Sequence, residues 1–413
     1  MTFEEERKIA QEVITSLNAQ DALLYDQEIT WPIKMVTERL TDHIKNPIYS
    51  FSIHVINDKS VNAFTIPDGH IFFNIGTILY AKDTDEIAAV IGHEIGHAQL
   101  RHIPQTMDEQ KGVTAVSLLG VLLGALVSSR SPEAGTALVL SSLGGGENIK
   151  LSYSRKHEYE ADEFSNRLLK DSGFDPTAMN RFFVRLNNIS AGNDIPEYLK
   201  THPNAVNRIS GQSPDTGSPK PDTLFWSLGA SVIGLSLSEE EGKQRAQGLP
   251  EPYRGLSLGI LETRKGRYEQ ALLILKEVDL PLAHAYRGID LYHLGKKEEA
   301  YPLLKNYGTF ARAQLILAEI LEEKGEFKQA LETLLPYQKQ SIQVDYKLGV
   351  LQEKTSQLTQ AHVSFARYFF KTAKYKACII HIDKALEEKK DLDETTQDEL
   401  KQMKELAAKL AAK

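Results

Sequence analysis

Residues 88–98 have the sequence AAVIGHEIGHA, in which His93, Glu94 and His97 interrupt an otherwise small and aliphatic run. The stretch has helical periodicity, and residues four apart lie on one face of a helix, so the two histidines can offer ring nitrogens to one metal ion. Glu94 lies beside them, where it can act as a general base on a water molecule held by that metal. The pattern therefore predicts the active helix of a zinc hydrolase.

The residues around this motif also favour a helix. Asp83, Asp85 and Glu86 precede it and Arg101 follows it, so acidic and basic side chains would complement the dipole of a helix at its two ends. Two histidines on an apolar face can also be ordinary buried side chains with satisfied hydrogen bonds. The metal-binding interpretation therefore needs a further ligand.

That third ligand has to come from another segment of the chain. Residues 154–162, SRKHEYEAD, contain Glu158 and Asp162, which are four residues apart and share a helical face. Glu158 could bind the metal while Asp162 accepts a hydrogen bond from the second ring nitrogen of a ligating histidine. Glu160 would point elsewhere. A charged run of this kind is otherwise typical of a solvated helix face.

The two motifs together resemble the HtpX-like and BepA-like zinc peptidases of metallopeptidase family forty-eight, whose members share H-E-x-x-H on one helix and S-R-x-x-E-x-x-A-D on a later one. The resemblance covers about the first half of the chain and extends to three more segments: NAF at 62–64, PDG at 67–69, and HP at 202–203 followed by Arg208. It implies a zinc cofactor bound by His93, His97 and Glu158, with Asp162 orienting a ligand.

A small sheet is predicted before the active helix. Residues 51–56 alternate in the manner of a strand, and residues 67–69 have turn chemistry, so residues 50–73 predict a small antiparallel sheet. A sheet edge beside a zinc cleft can bind extended peptide by main-chain pairing. We expect this substrate edge at Gly69, His70 and Ile71.

The His-Pro segment offers two further site residues. His202 and Arg208 can both donate hydrogen bonds to the oxyanion of a tetrahedral intermediate. Alternatively, His202 occupies the open zinc position and keeps the enzyme latent, which the BepA-like resemblance makes plausible. A loop histidine and a structural arginine with no catalytic role are the remaining interpretation.

Two apolar stretches, 112–129 and 134–146, separate the metal motifs. The corresponding region of HtpX-like relatives holds transmembrane helices. Here both stretches are rich in Gly, Ser, Thr and Ala, and the second is too short to return across a bilayer. We expect a helical hairpin over 112–146 that is buried against the catalytic core or contacts a membrane surface peripherally.

The second half of the chain has a different organisation. Residues 211–221 form a Pro/Gly/Ser linker that separates a catalytic domain, 1–210, from a repeat domain, 222–413. A turn signature recurs around Gly266, Gly295 and Gly325, with weaker echoes at 355–362 and 373–378. Its period is shorter than the 34 residues of a tetratricopeptide repeat, but stacked helical repeats remain the expected architecture, and such arrays bind protein segments.

Composition excludes several classes of protein. A chain of 413 residues should contain at least two domains, and a net charge of −8 argues against nucleic acid as a partner. The single cysteine, Cys378, excludes an internal disulfide and is expected to be buried in a helix. The acidic start shows no secretory leader. Because BepA-like relatives are exported, we expect a periplasmic or cell-envelope protein whose leader is absent from this sequence, with a cytoplasmic protein as the alternative.

The sequence thus predicts a mainly α protein with a small antiparallel β-sheet, in which a zincin-like metallopeptidase domain precedes an α-helical tetratricopeptide-like repeat domain. We expect a zinc-dependent endopeptidase that cleaves unfolded or misassembled envelope proteins in protein quality control. The resemblance implies the outer-membrane protein assembly machinery as a partner. The alternative is a repeat-based chaperone or scaffold with a latent or vestigial zinc site.

Overall fold

The computed structural model describes residues 1–109, 153–190, 196–202, 222–388 and 391–411. The chain divides into two compact units, Met1–Leu24 with Glu28–Val232 and Tyr25–Gln27 with Ile233–Lys413. The predicted hairpin at 112–146, the predicted linker at 211–221 and Arg208 lie outside the described residues.

Helices dominate the part of the chain that carries the metal motifs. The elements along residues 1–202 are, in chain order, α1 (Phe3–Ala19), β1 (Leu23–Leu24), α2 (Gln27–Thr41), β2 (Ser52–Ile56), β3 (Ala63–Ile66), β4 (His70–Asn74), α3 (Ile75–Tyr80), α4 (Thr84–Gln99), α5 (His102–Glu109), α6 (Arg155–Asp171), α7 (Ala178–Ser190) and α8 (Glu197–Thr201). The predicted class, mainly α with one small sheet, is confirmed.

The sheet is mixed rather than entirely antiparallel. Its strand order is β1-β2-β4-β3. The turn at 67–69 joins β3 and β4 into an antiparallel hairpin, with Ile66 opposite His70, as its composition predicts. However, β4 is inserted between β3 and β2 and runs parallel to β2, with Ser52 opposite His70. Turn chemistry reports the connection between neighbouring strands but not the order in which strands pair, and that order is what the prediction missed.

This strand order also corrects the predicted substrate edge. His70 and Ile71 belong to β4, which pairs with β2 on one side and β3 on the other, so they do not lie on an edge. Gly69 belongs to the turn before β4. The edge on this side of the sheet is β3.

Helix α4 carries the His-Glu-x-x-His motif and is anchored at its start. The side chain of Asp83 accepts a hydrogen bond from the backbone N–H of Glu86 at 2.8 Å, which caps the helix. The buried carboxylate of Glu86 pairs in turn with Arg181 and Arg185 of α7. All residues from Glu86 to Ala98 are buried. Hydrogen bonding and ion pairs therefore stabilise the beginning of α4, and packing of buried side chains stabilises the rest of the helix.

Helix α6 lies close against α4. A Cβ atom added at Gly96 would lie 3.0 Å from the carbonyl oxygen of Ala161, so the glycine permits a backbone approach that a side chain would obstruct. This close approach brings the first turns of α6 to the histidine face of α4.

The secondary-structure elements among the described residues of the second unit are all helices. Its elements, with the helix at the boundary between the units, are α9 (Thr223–Ser236), α10 (Glu239–Ala246), α11 (Tyr253–Arg264), α12 (Tyr268–Leu275), α13 (Pro281–His293), α14 (Lys297–Tyr307), α15 (Ala311–Glu323), α16 (Phe327–Leu334), α17 (Ile342–Lys354), α18 (Leu358–Lys371), α19 (Tyr375–Glu387) and α20 (Glu394–Ala411). None of the described helices in either unit is long and apolar enough to cross a membrane.

The recurring sequence signature falls at turns between consecutive helices. Gly266, Gly295 and Gly325 have φ angles of 72°, 78° and 78°. The residue after each glycine donates its N–H to the carbonyl five positions earlier, which is the Schellman helix ending. Ser356 and Ala373, in the two weaker echoes, make the same turn with φ angles of 62° and 55°. The echoes therefore repeat the turn geometry without the glycine.

Candidate metal centre

Two ring nitrogens from α4 define the centre. His93 and His97 are fully buried and lie one helical turn apart, with their Nε2 atoms 3.0 Å from each other. Burial lowers the pKa of His97 well below its usual value, so its imidazole is neutral and can donate a lone pair to a metal ion.

Glu158 reaches the same point from the first turn of α6. The side chain of Ser154 caps this helix by accepting the N–H of His157, which fixes where α6 begins. The Glu158 carboxylate is buried, with Oε1 3.5 Å from Nε2 of His97 and Oε2 3.6 Å from Nε2 of His93. Burial alone would raise its pKa, but the neighbouring His202, His97 and His93 hold the pKa well below its ordinary value.

His202 is the fourth member of the cluster. It follows α8, and its Nδ1 atom lies 3.0 Å from Oε1 of Glu158 and 3.2 Å from Nε2 of His93. Ligand atoms of His93, His97, Glu158 and His202 all lie within 4.8 Å of one another, and all four residues are buried. Among the described residues, this is the group of metal-binding side chains that converges on one point.

The donor set fits a divalent transition metal. Three imidazole nitrogens and one carboxylate oxygen are the ligands that zinc prefers in proteins. Tetrahedral zinc with ligands about 2.1 Å away would separate neighbouring ligand atoms by roughly 3.4 Å. The close ligand-atom distances in the cluster, between 3.0 and 3.6 Å, bracket that value. These four side chains are therefore a candidate metal site.

Glu94 lies at the edge of the cluster. Its Oε1 atom is 3.3 Å from the hydroxyl of Tyr198 and 3.4 Å from Nε2 of His202. Its Oε2 atom is buried and has no hydrogen-bond partner among the described residues. Burial raises the pKa of this carboxyl group, and nearby His202 and His93 oppose that rise. The side chain thus presents an unpaired oxygen of raised pKa next to the candidate metal ligands.

Asp162, also predicted for the site, lies next to the cluster. It lies one turn after Glu158 on α6, and its Oδ1 atom is 3.0 Å from Nδ1 of His93. Arg208 lies outside the described residues, and Gly69, His70 and Ile71 lie in the turn before β4 and in β4 itself, as described above.

Sequence reasoning missed several side chains of the centre. The Tyr153 ring stacks on His97 with 3.7 Å between ring centroids, and the Tyr198 ring lies 4.5 Å from that of His202. His102 lies beside His97 on the side away from the cluster. Tyr198 stands four residues before His202, and that helical spacing could have pointed to it.

The chain is similar to known peptidases. Residues 30–212 match the sequence profile of Peptidase family M48. The chain is 27% identical over 314 residues to the beta-barrel assembly-enhancing protease of Yersinia pestis, and the matched residues cover 74% of this chain and 60% of that protein. It is 27% identical over 365 residues to the protein of the same name in Escherichia coli K12, and this match covers 82% of this chain and 74% of the Escherichia coli protein.

Another relative matches a shorter part of the chain. The mitochondrial metalloendopeptidase OMA1 of Arabidopsis thaliana is 31% identical over 191 residues, or 46% of this chain and 36% of that protein. The family predicted from the two motifs is thereby confirmed. Through residues 30–212 the chain matches Peptidase family M48, and its named relatives support a metalloendopeptidase hydrolase.

Proposed function

We propose that this protein is a zinc-dependent endopeptidase that cleaves unfolded or misassembled proteins of the bacterial cell envelope. The observation that carries the proposal is the buried convergence of His93, His97, Glu158 and His202, with the unpaired oxygen of Glu94 beside it. His93, His97 and Glu158 are the proposed zinc ligands. When bound there, zinc supplies a Lewis acid that polarises the scissile carbonyl and acidifies a water molecule.

The remaining side chains have distinct proposed roles. Glu94 takes a proton from the attacking water at Oε2 and then delivers it to the leaving amine. Asp162 keeps the His93 ring in the orientation and tautomer that leave Nε2 available to the metal. Tyr198 donates its hydroxyl proton to Oε1 of Glu94 and so holds this carboxylate in place.

Extended substrate is proposed to pair along β3. This strand has a partner on one side only within the described sheet. Thr65 and Ile66 of β3 line a small cavity together with His97. Main-chain pairing at such an edge tolerates many side chains, which suits a protease that acts on unfolded segments.

The sequence of the second unit supports a role in choosing substrates or partners. We propose that residues 222–413 form a tetratricopeptide-like array joined by a linker to a catalytic domain at 1–210, and five like turns between its helices support this division. Because two relatives are named beta-barrel assembly-enhancing proteases, the proposed partner is the assembly machinery of outer-membrane β-barrel proteins, and the proposed location is the periplasm.

A latent protease is the second candidate, and the position of His202 favours it. Its Nδ1 atom is as close to Glu158 as a fourth ligand would be. In that arrangement the position that water and substrate need is taken, and the protein acts as a repeat-based chaperone or scaffold until His202 moves away.

One experiment tests both candidates. The full chain is loaded with zinc, its metal content is measured, and cleavage of unfolded casein is followed with and without a zinc chelator. We expect about one zinc per chain and cleavage that the chelator abolishes. Protein that takes up no zinc would contradict the metal site, and zinc-loaded protein that leaves casein intact would favour the latent state.

A further inference from the structure

A second set of polar side chains lies directly behind the metal cluster. Nδ1 of His97, the ring nitrogen that faces away from the cluster, lies 2.9 Å from Nδ1 of His102. On the far side of the second ring, Nε2 of His102 lies 3.3 Å from Oε2 of Glu160. His102 is fully buried, whereas Glu160 is about one-third exposed. The three side chains form a row from the cluster towards the surface.

The hydrogen positions in this row follow from metal binding. If Nε2 of His97 binds a metal ion, its only ring proton is on Nδ1 and has to be donated. Nδ1 of His102 is the atom at hydrogen-bonding distance, so it must be the acceptor and the proton of His102 must be on Nε2. That proton is on the side of the ring that faces the Glu160 carboxylate, whose Oε2 atom is 3.3 Å away without hydrogen-bond alignment. One arrangement of protons therefore satisfies the His97–His102 hydrogen bond and turns the N–H side of His102 towards a negative charge.

The backbone before His102 is held in an uncommon conformation that presents this ring. Arg101 has a φ angle of 55°, which costs a non-glycine residue on the order of 1 kcal/mol. Its guanidinium group pairs with the buried carboxylate of Glu6, donates to the carbonyl of Met1 and lies over the Phe3 ring. Contacts with α1 thus stabilise the turn between α4 and α5 that brings His102 back to His97.

We propose that His102 and Glu160 are positioning residues for the metal ligand His97, through a carboxylate–imidazole–imidazole relay. Asp162 contacts His93 directly. The carboxylate of Glu160 instead acts on His97 through the ring of His102. The relay rests on the metal site of the proposed function. Its role is to fix the tautomer and ring orientation of His97, so its loss should weaken metal binding.

The test is the zinc dissociation constant of the full-length protein, measured by competition with a chromophoric chelator. His102→Leu removes the acceptor and should raise this constant about 10- to 100-fold. His102→Asn retains an oxygen that can accept at the position of Nδ1 and should stay within roughly threefold of the parent protein. His54→Leu is the matched control, since His54 is a half-buried imidazole 3.0 Å from another histidine, His70, outside the relay.

The thermal stability of each metal-free protein separates positioning from a structural role. A positioning residue changes zinc affinity more than it changes the melting temperature of the metal-free form. If His102→Leu does not fold, the comparison of Glu160→Leu with Glu160→Gln replaces it, with weaker zinc binding expected only for the leucine.

Three results would overturn the relay. They are parent-like affinity in His102→Leu, equal loss in His102→Asn and His102→Leu, and equal loss in the control His54→Leu. A parent protein that binds no zinc would instead contradict the proposed function.

Discussion

Oδ1 of Asp162 lies 3.0 Å from Nδ1 of His93, on the side of the ring opposite to the Nε2 atom that faces the other ligands. Because α6 carries both Glu158 and Asp162, one helix would provide a proposed ligand and orient another proposed ligand on α4. The spacing of four residues makes this possible, since it places the two carboxylates on one face.

Removing this carboxylate should weaken metal binding without removing a ligand. We expect Asp162→Leu to raise the zinc dissociation constant about 10- to 100-fold, because the His93 ring loses the group that fixes its tautomer and orientation. Asp162→Asn keeps an acceptor oxygen and should fall between this variant and the parent in the same chelator competition. Equal affinity in all three proteins would show that the contact does not orient His93.

The predicted general base can be separated from the ligands. Glu94→Gln should keep the metal content of the parent, because Glu94 is not among the four converging ligand residues, and should lower the turnover of unfolded casein by roughly a hundredfold or more. Glu158→Ala is the contrasting variant and should lose most of its metal. Casein cleavage at the parent rate by Glu94→Gln would exclude Glu94 as the base.

The two roles of His202 predict opposite changes. As a fourth ligand, His202 blocks the position of water and substrate, so His202→Ala should raise casein cleavage while zinc is retained. As an oxyanion donor, it stabilises the transition state, so the same variant should lower turnover about ten- to a thousandfold. The short distance from Nδ1 to Glu158 leads us to expect the increase. Unchanged activity would contradict both roles.

Helical spacing accounts for what the sequence could predict at the site. His93 and His97 have to share a face if residues 84–99 are helical, and the same holds for Glu158 and Asp162. Both pairs depend on local structure alone. That the two faces meet depends on packing, and it was inferred from the need for a third ligand and from the family resemblance.

The parts that were missed depend on long-range structure. His102 reaches His97 only because Arg101 adopts a left-handed conformation supported by contacts with α1, almost a hundred residues earlier in the chain. The sheet order depends on β4 being inserted between β2 and β3. Neither hydrophobic periodicity nor turn composition contains that information. The predictions of an entirely antiparallel sheet and of a substrate edge at Gly69–Ile71 were therefore wrong.

The turns of the second unit provide a matched stability test. Gly295 has a φ angle of 78° and no atom near the position of a Cβ, so Gly295→Ala should cost about 1 kcal/mol through backbone strain alone. Ser356 makes the same turn with a φ angle of 62°, so Ser356→Gly should be neutral or stabilising by up to about 1 kcal/mol. Thermal unfolding of the full chain should shift in opposite directions. A similar shift in both variants would mean that φ does not control these turns.

A buried carboxylate in the same unit should make stability depend on pH. Asp290 on α13 is fully buried, and burial raises its pKa to about 7 against the opposing effect of the nearby Thr263 side chain. An acid whose pKa is higher in the folded than in the unfolded state binds more protons when folded, so its contribution to stability falls as pH rises from about 4 to about 7.

Replacing this carboxyl group with an amide should remove that dependence. Asp290→Asn should be more stable than the parent at pH 8, by an amount on the order of a few kcal/mol, and the difference should shrink as the pH approaches 5. Asp279→Asn is the control, because the Asp279 side chain is fully exposed, and it should change stability little at either pH. Urea unfolding of the full chain, followed by circular dichroism at pH 5 and pH 8, makes the comparison. If the free energy of unfolding of the parent protein is the same at pH 5 and pH 8, Asp290 is ionised in the folded state and stabilised by its surroundings.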